Sequence, residues 1–242
     1  MKNILINKRE FLINNLYKII DFLENYPKKI KNSSLFRKNF GRRIIKNYYG
    51  YYSQLTNEKT GNLGFGFLHY SMINAIDAKN ILCIGSCKGF IPAICALACK
   101  EKGSGHVHFV DLGLSEEDND NWGGIGFWKT VNVKKHFSQI GVQRQITMHN
   151  ISSKEFFKKN KMKWDYIYID GDHSYSGVKH DYVSSWSRLK KGGLLGFHDI
   201  DVKDQYQGQE YGVRKLWKEI VRKNKIQFIN SPKGASLGFV QK

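Results

Sequence analysis

The chain has 242 residues and a mass of 28.0 kDa, room for one α/β domain with an appendage or for two small domains, and at 41% hydrophobic it has enough apolar residues to build a core. Its 39 Lys and Arg against 21 Asp and Glu give a formal charge of +18, which favours nucleic acid, acidic lipid or phosphorylated substrates as partners without choosing among them. No stretch approaches the roughly 20 apolar residues of a membrane span, no apolar signal region opens the chain, and repeats are absent.

The charge is uneven: residues 1–60 hold 13 of the basic residues and four of the acids. Within them Ile4, Leu5, Phe11, Leu12, Leu16, Ile19, Ile20 and Leu23 recur at three- and four-residue intervals, which predicts an amphipathic helix ending near Pro27. Residues 28–52 interleave Lys and Arg with Phe36, Phe40, Ile44, Ile45, Tyr48, Tyr49, Tyr51 and Tyr52. That mixture suits a grip on nucleic acid or a membrane interface. A helical extension packed on the main domain, with its lysines solvated, is the plainer expectation.

The glycine-rich joint at residues 60–66 marks a boundary, giving a basic helical extension over 1–60 and a main domain over 61–242. A helix through Phe67, Leu68, Met72, Ile73 and Ile76 comes first. Residues 80–85 then read as a buried strand, Ser86-Cys87-Lys88-Gly89 as a turn, and 91–98 as an apolar helix. Strand, glycine loop and helix form a nucleoside-binding corner, in which Gly85 and Gly89 allow a ligand to approach the backbone. Residues 107–111 make a second strand ending in Asp111, placed to accept hydrogen bonds from ribose hydroxyls. The loop carries neither the dinucleotide fingerprint nor a P-loop ending, which argues against nicotinamide cofactors and ATP. Cys83, Cys87, Cys95 and Cys99 all fall in this strand-to-helix segment, where buried apolar thiols are expected rather than disulfides or zinc.

An aromatic loop at residues 121–128 and a helix over 131–140 lead to a third strand, 146–150, with Asn150 at its tip. The fourth strand, 164–170, is rich in aromatic and β-branched residues and stops at Asp170-Gly171-Asp172-His173, where a ligand crevice is expected at the carboxyl end of a parallel sheet. A helix over 178–189, a turn at 190–193 and a fifth strand, 194–197, ending at His198-Asp199 follow. Residues 226–229 and 237–240 look like a closing antiparallel pair. The fold class is therefore α/β: a doubly wound, Rossmann-like, mostly parallel sheet with a C-terminal antiparallel pair and an N-terminal helical extension.

Ile169-Asp170-Gly171-Asp172-His173-Ser174-Tyr175-Ser176-Gly177-Val178, Leu189-Lys190-Lys191-Gly192-Gly193 and Phe197-His198-Asp199-Ile200 together resemble the class I S-adenosylmethionine-dependent methyltransferases. More narrowly, they resemble the macrocin O-methyltransferase and cephalosporin-hydroxylase-like group of small-molecule enzymes. The resemblance covers about residues 61–240. It implies that Gly85, Ser86 and Gly89 cradle the methionine part of S-adenosylmethionine, that Asp111 holds the ribose, that Asn150 lies near adenine, and that Gly64 and Phe65 close over the cofactor. It also implies a divalent cation, magnesium or manganese, held by Asp170 and the pair His198-Asp199, with Asp170 bordering the cofactor as well. Asp172 is the favoured base by this resemblance and His173 the second choice. Two departures stand out: Cys83 replaces the usual acid of the first strand, and an imidazole at His198 replaces an oxygen ligand.

The implied activity is methyl transfer to a hydroxyl of a small molecule or sugar, such as a surface polysaccharide or a glycosylated metabolite. The rivals are a nucleic-acid methyltransferase using the basic arm and a non-catalytic cofactor-binding scaffold. Nucleic acid is the less favoured partner, since no Asn/Asp-Pro-Pro-aromatic motif follows the fourth strand. A homo-oligomer is allowed, and residues 1–60 suit an anionic membrane surface. The expected location is cytoplasmic, with docking at the inner membrane face.

Overall fold

The computed structural model describes residues 37–50, 52–113, 126–203, 205–206, 209–221, 224–230 and 234–242. The helix expected over residues 4–23 and most of the aromatic loop, Trp122 included, lie outside them. The described chain opens with α1 (Lys38–Tyr48) and a single 3-10 turn (Tyr52–Gln54), followed by α2 (Phe65–Ala75). Then come β1 (Asn80–Ile84), α3 (Phe90–Lys102), β2 (His106–Val110), α4 (Phe127–Thr130), α5 (Val133–Ser138), β3 (Ile146–His149), α6 (Ser153–Lys159), β4 (Trp164–Ile169) and α7 (Tyr175–Arg188). The chain finishes with β5 (Leu189–His198), the short pair β6 (Gln205–Tyr206) and β7 (Gln209–Glu210), α8 (Val213–Glu219), β8 (Lys225–Asn230) and β9 (Ala235–Gln241).

Seven strands form one sheet in the order β3-β2-β1-β4-β5-β9-β8. The first five are parallel, β9 runs antiparallel to β5, and β8 runs antiparallel to β9. Alternate residues of the buried strands feed two cores, one on each face. On one face Cys83, Phe109, Tyr166 and Tyr168 pack with Ile73 of α2 and Ile91, Ile94 and Cys95 of α3. On the other, Leu82, Ile84, Ile167, Ile169 and Phe197 pack with Phe156 of α6, Val178 of α7 and Trp217 of α8. Cys83, Cys95 and Cys99 are buried free thiols within the first core, and burial pushes the Cys95 thiol well above its ordinary range.

The expected turn at 190–193 is part of β5, which begins at Leu189 and runs for ten residues. Trp164 pairs with Leu189 and Tyr166 with Leu194, so β5 bulges between those contacts. The bulge is held from both sides: Lys190 Nζ meets Asp165 Oδ1 at 2.8 Å, and Gly192 N–H donates to the Lys242 carbonyl at 2.7 Å.

Phe40, Ile44, Ile45, Tyr48 and Leu55 pack on the same core as the sheet. Ile44 and Tyr48 of α1 are fully buried, the Tyr48 ring stacks on Phe137 at 5.6 Å, and its hydroxyl donates to the His136 carbonyl at 2.9 Å. Tyr48→Ala is expected to cost about 3–5 kcal/mol in denaturant unfolding, as for other large buried aromatics. Tyr48→Phe is expected to cost about 1 kcal/mol, from the unpaired carbonyl alone. Among the described residues, no helix is long and apolar enough to cross a membrane.

Candidate active site

Polar residues collect where the parallel strands end. The loop after β1 begins at Gly85, whose N–H donates to the Val110 carbonyl at 2.8 Å, while the Asp170 N–H donates to the Ile84 carbonyl at 2.8 Å. Gly85 has φ +71°, and a Cβ there would lie 2.2 Å from the Asp170 carbonyl oxygen. At Gly89, φ +88°, a Cβ would meet Trp128 and Phe137 at 3.0 Å. The missing Cβ atoms therefore make room for the protein itself rather than for a ligand. Ser86 is buried between the two glycines and its carbonyl accepts from Gly89 N–H at 2.6 Å.

Asp111 follows β2, half-exposed, with Oδ1 accepting from Gly113 N–H at 2.8 Å. The exposed Asn150 beyond β3 donates through Nδ2 to the Asp111 carbonyl at 3.4 Å, so the residues expected at the ribose and near adenine are neighbours. Gly64 and the buried Phe65 open α2, and a Cβ on the next residue, Gly66, would meet the Phe90 ring at 3.3 Å. The start of α2 thus flanks the helix that follows the 85–89 loop.

Beyond β4 and β5, four side chains converge. His198 Nδ1 lies 3.2 Å from Asp170 Oδ1 and 3.1 Å from Asp199 Oδ1, and His173 Nε2 lies 3.6 Å from Asp170 Oδ1 and 3.4 Å from Asp199 Oδ2. One ligand atom each from Asp170, His173 and His198 lies within 4.8 Å of the others. Asp199 holds its carboxylate there from a left-handed backbone, φ 57°, and its N–H donates to the Ser236 carbonyl at 3.0 Å. That conformation is tolerated best by Asn and Asp among side-chain-bearing residues.

Electrostatics follow from burial and mutual contact. Burial alone raises a carboxyl, yet His198 and then His173 outweigh it and hold Asp170 well below the usual carboxylate range. Burial alone lowers an imidazole, yet Asp199 and Asp170 push His198 well above its ordinary value. For His173, burial likewise opposes, and Asp170 and Asp199 win. The carboxylates thus favour the protonated form of each imidazole, and the imidazoles favour the ionised form of Asp170.

Asp172 and His173 part company. Asp172 is exposed, its Oδ1 accepts from Ser174 N–H at 2.8 Å at the entry to α7, and a Cβ on Gly177 would meet Oδ2 at 2.2 Å. It stands outside the Asp170 cluster. His173 stands inside it, its ring stacked on Tyr211 at 4.8 Å and its carbonyl accepting from Gly212 N–H at 2.7 Å.

Behind the loop lies a second buried carboxyl. Asp181 of α7 is 2% exposed, and its Oδ1 has no hydrogen-bond partner among the described residues. Burial pushes it up to about 7, against a hydrogen bond from Ser153 and with the Asp172 charge adding. Such a carboxyl keeps its proton when folded and loses it near 3.8 when unfolded, so stability falls as pH rises from about 4 to about 7. Asp181→Asn is expected to flatten that slope and to stabilise the protein at pH 8 by on the order of 2–4 kcal/mol relative to its effect at pH 4, read from urea unfolding at both pH values.

Other residues at the site carry no motif. The Tyr168 hydroxyl donates to Asp170 Oδ2 at 3.4 Å, Gln54 Nε2 donates to the Tyr168 hydroxyl at 3.5 Å, and His198 Nε2 lies 3.4 Å from the Ser53 carbonyl. His69 pairs through Nδ1 with the Tyr166 hydroxyl at 2.6 Å and sets its ring edge on Tyr168 at 4.6 Å. Burial, with His198 adding, pushes His69 down to about 3, so it is neutral. Of these, Tyr168 was within reach of sequence reasoning, since residues two apart on a strand share a face with Asp170.

Residues 82–200 match the model of a family described as a methyltransferase domain. The fold is similar to that of the O-methyltransferase TomG from Streptomyces achromogenes, involved in tomaymycin synthesis and solved with S-adenosylmethionine: TM-score 0.58, 12% identity, 82% of this chain and 88% of that one. It is similar to the O-methyltransferase from Bacillus cereus solved with S-adenosylhomocysteine, with TM-score 0.56, 13% identity, and 85% of this chain and 90% of that one covered. An rRNA methylase from Streptococcus thermophilus is also similar, with TM-score 0.51, 11% identity and coverages of 72% and 94%. No curated protein matches the chain in sequence.

Proposed function

We propose that this chain, whose residues 82–200 match a methyltransferase domain, is a class I S-adenosylmethionine-dependent methyltransferase that transfers a methyl group to a hydroxyl of a small molecule or sugar, assisted by a divalent cation. The observation that carries this reading is the convergence of Asp170, His173, His198 and Asp199 directly beside Gly85, so that a cofactor loop and a cation site share the Asp170 backbone.

The residues fit both groups. Asp111, Asn150 and the 85–89 loop lie together at the ends of β1 to β3, where a nucleoside belongs in such a sheet. The cation would be held by Asp170, His198 and Asp199, two carboxylates and an imidazole. Both ring nitrogens of His173, including Nε2 that faces Asp170 and Asp199, are buried without a hydrogen-bond partner among the described residues, which suits a place that takes a polar ligand. A donor set that includes nitrogen favours manganese or another transition ion over magnesium.

S-adenosylmethionine, when bound, supplies a sulfonium methyl carbon open to in-line attack and a neutral thioether as leaving group. A divalent cation, when bound, lowers the pKa of the acceptor hydroxyl. The chain's own work is alignment and proton removal. His173, in its neutral form, takes the acceptor's proton at Nε2 as the oxygen attacks. The products are the methyl ether and S-adenosylhomocysteine. His173 is preferred to Asp172 because it lies in the cluster, and to His198 because its side chain is 14% exposed against 2%. His173→Gln is expected to lower the transfer rate about 100-fold while leaving manganese affinity within a few-fold. His198→Gln is expected to weaken manganese binding itself. Calorimetry and steady-state rates separate the two.

The governing test incubates the protein with isotopically methyl-labelled S-adenosylmethionine and a panel of free sugars, nucleotide-linked sugars and phenols, with manganese or with a chelator. Labelled methyl ether formed only with the cation is the expected result. Transfer indifferent to chelation would remove the cation, and label found only on RNA would replace the acceptor class. That second reading, a nucleic-acid methyltransferase, draws on the +18 charge and on the likeness to the rRNA methylase. Docking of residues 1–60 on anionic membranes is a separate proposal from their basic composition, tested by flotation with phosphatidylserine vesicles.

A further inference from the structure

Buried polar atoms without a hydrogen-bond partner among the described residues gather where the segment ahead of the sheet meets the end of β4: Ser53 Oγ, Gln54 Oε1, His69 Nε2 and His173 Nδ1. Each such atom costs roughly 1–3 kcal/mol. A segment needed only for packing would place apolar side chains there. Instead Gln54, 1% exposed, turns its amide Nε2 to the Tyr168 hydroxyl at 3.5 Å, and that hydroxyl turns to Asp170 Oδ2 at 3.4 Å. The other oxygen, Asp170 Oδ1, is the one that meets His198 at 3.2 Å and His173 at 3.6 Å. The relay therefore ends on the carboxylate oxygen that faces away from the imidazoles.

The start of the relay is fixed in place. A Cβ on Gly64, φ +51°, would lie 2.0 Å from the Gln54 carbonyl oxygen, so Gly64 and Gln54 touch backbone to backbone. The neighbouring Ser53 carbonyl lies 3.4 Å from His198 Nε2, and the His69 edge at 4.6 Å braces the Tyr168 ring. Gln54 lies outside residues 82–200, the span of the methyltransferase-domain match.

We propose that Gln54 is a positioning residue of the Asp170 centre: by holding the Tyr168 hydroxyl it turns the Asp170 carboxylate so that Oδ1 faces the cation site. The inference rests on the divalent-cation reading above. Outer hydrogen bonds of this kind orient ligating carboxylates, and their loss typically weakens metal binding about 10- to 100-fold.

The test is manganese titration of the full chain, followed by electron paramagnetic resonance, for the wild type, Gln54→Leu, Gln54→Met, Tyr168→Phe and the double variant Gln54→Leu/Tyr168→Phe. Both single changes are expected to raise the manganese dissociation constant about tenfold, and the double variant no further than Tyr168→Phe, because the two residues act in series. S-adenosylmethionine affinity should not move. The thermal midpoint of Gln54→Leu should not fall, since the substitution also removes an unsatisfied buried oxygen; Gln54→Met reports the same loss should the branched side chain pack poorly. Wild-type manganese affinity in the Gln54 variants, or losses that add in the double variant, would overturn the positioning role while leaving the cation reading intact. No manganese binding by the wild type would overturn the cation reading and the positioning role with it.

Discussion

Asp170→Ala is expected to abolish manganese binding and methyl transfer, with S-adenosylmethionine affinity unchanged. The carboxylate is the hub of the cluster: Oδ1 lies 3.2 Å from His198 and 3.6 Å from His173, and its loss leaves Asp199 as the one acidic side chain among the other three. Burial then drives protons off the imidazoles, because their charge was sustained by two carboxylates. Removing one partner of a buried ion pair costs about 3–5 kcal/mol when the other stays charged, and the imidazoles can shed their protons, so a loss near the lower end is expected. The cofactor side is spared because Gly85 packs on the Asp170 main chain rather than on its side chain. Calorimetry with manganese and with S-adenosylmethionine reads the two ligands separately. Loss of both would mean that the substitution unmade the loop as well.

Gly85→Ala is expected to destabilise the fold by on the order of 3 kcal/mol or more and to eliminate S-adenosylmethionine binding. Two costs add. A side chain at φ +71° sits in the left-handed region, about 1–2 kcal/mol. Its Cβ would also fall 2.2 Å from the Asp170 carbonyl oxygen and 2.5 Å from the Gly171 Cα, main-chain atoms that yield only if the end of β4 moves. Gly103→Ala is the control, with φ +79° and no atom within 4 Å of its added Cβ. It should cost only the conformational share. The difference between the two in urea unfolding isolates the close approach, and equal losses would contradict it.

The sheet and its two-sided core are legible because the strands are short apolar runs punctuated by Gly, Asp and Asn, and because helical periodicity lies between them. Asp170, His198 and Asp199 could be picked out as the polar residues at which buried strands stop. That His173 joins the cluster while Asp172 stays outside it could not: adjacent residues in a loop face different ways, and the turn that sends Asp172 to the head of α7 is a matter of its hydrogen bond to Ser174. Gln54 carries no signal, since it reaches Tyr168 across 114 positions of chain. The glycines of the 85–89 loop were legible in place but not in purpose, because a glycine that admits a ligand and one that admits a neighbouring strand are the same letter. The bulge at 190–193 read as a turn because Lys-Lys-Gly-Gly has turn composition, and its partners, Asp165 and Lys242, lie far away in sequence.

The place of β9 between β5 and β8 bears on how the protein is made. The carboxyl end of β5 pairs His198 with Leu237, and the Asp199 N–H reaches the Ser236 carbonyl, so the strand end that presents His198 and Asp199 is finished by residues some forty positions later. Until those residues leave the ribosome, β5 is an open hydrogen-bonding edge, the surface on which nascent chains mispair with one another. Assembly of the Asp170 cluster is thus a late event in biosynthesis, coincident with closure of that edge.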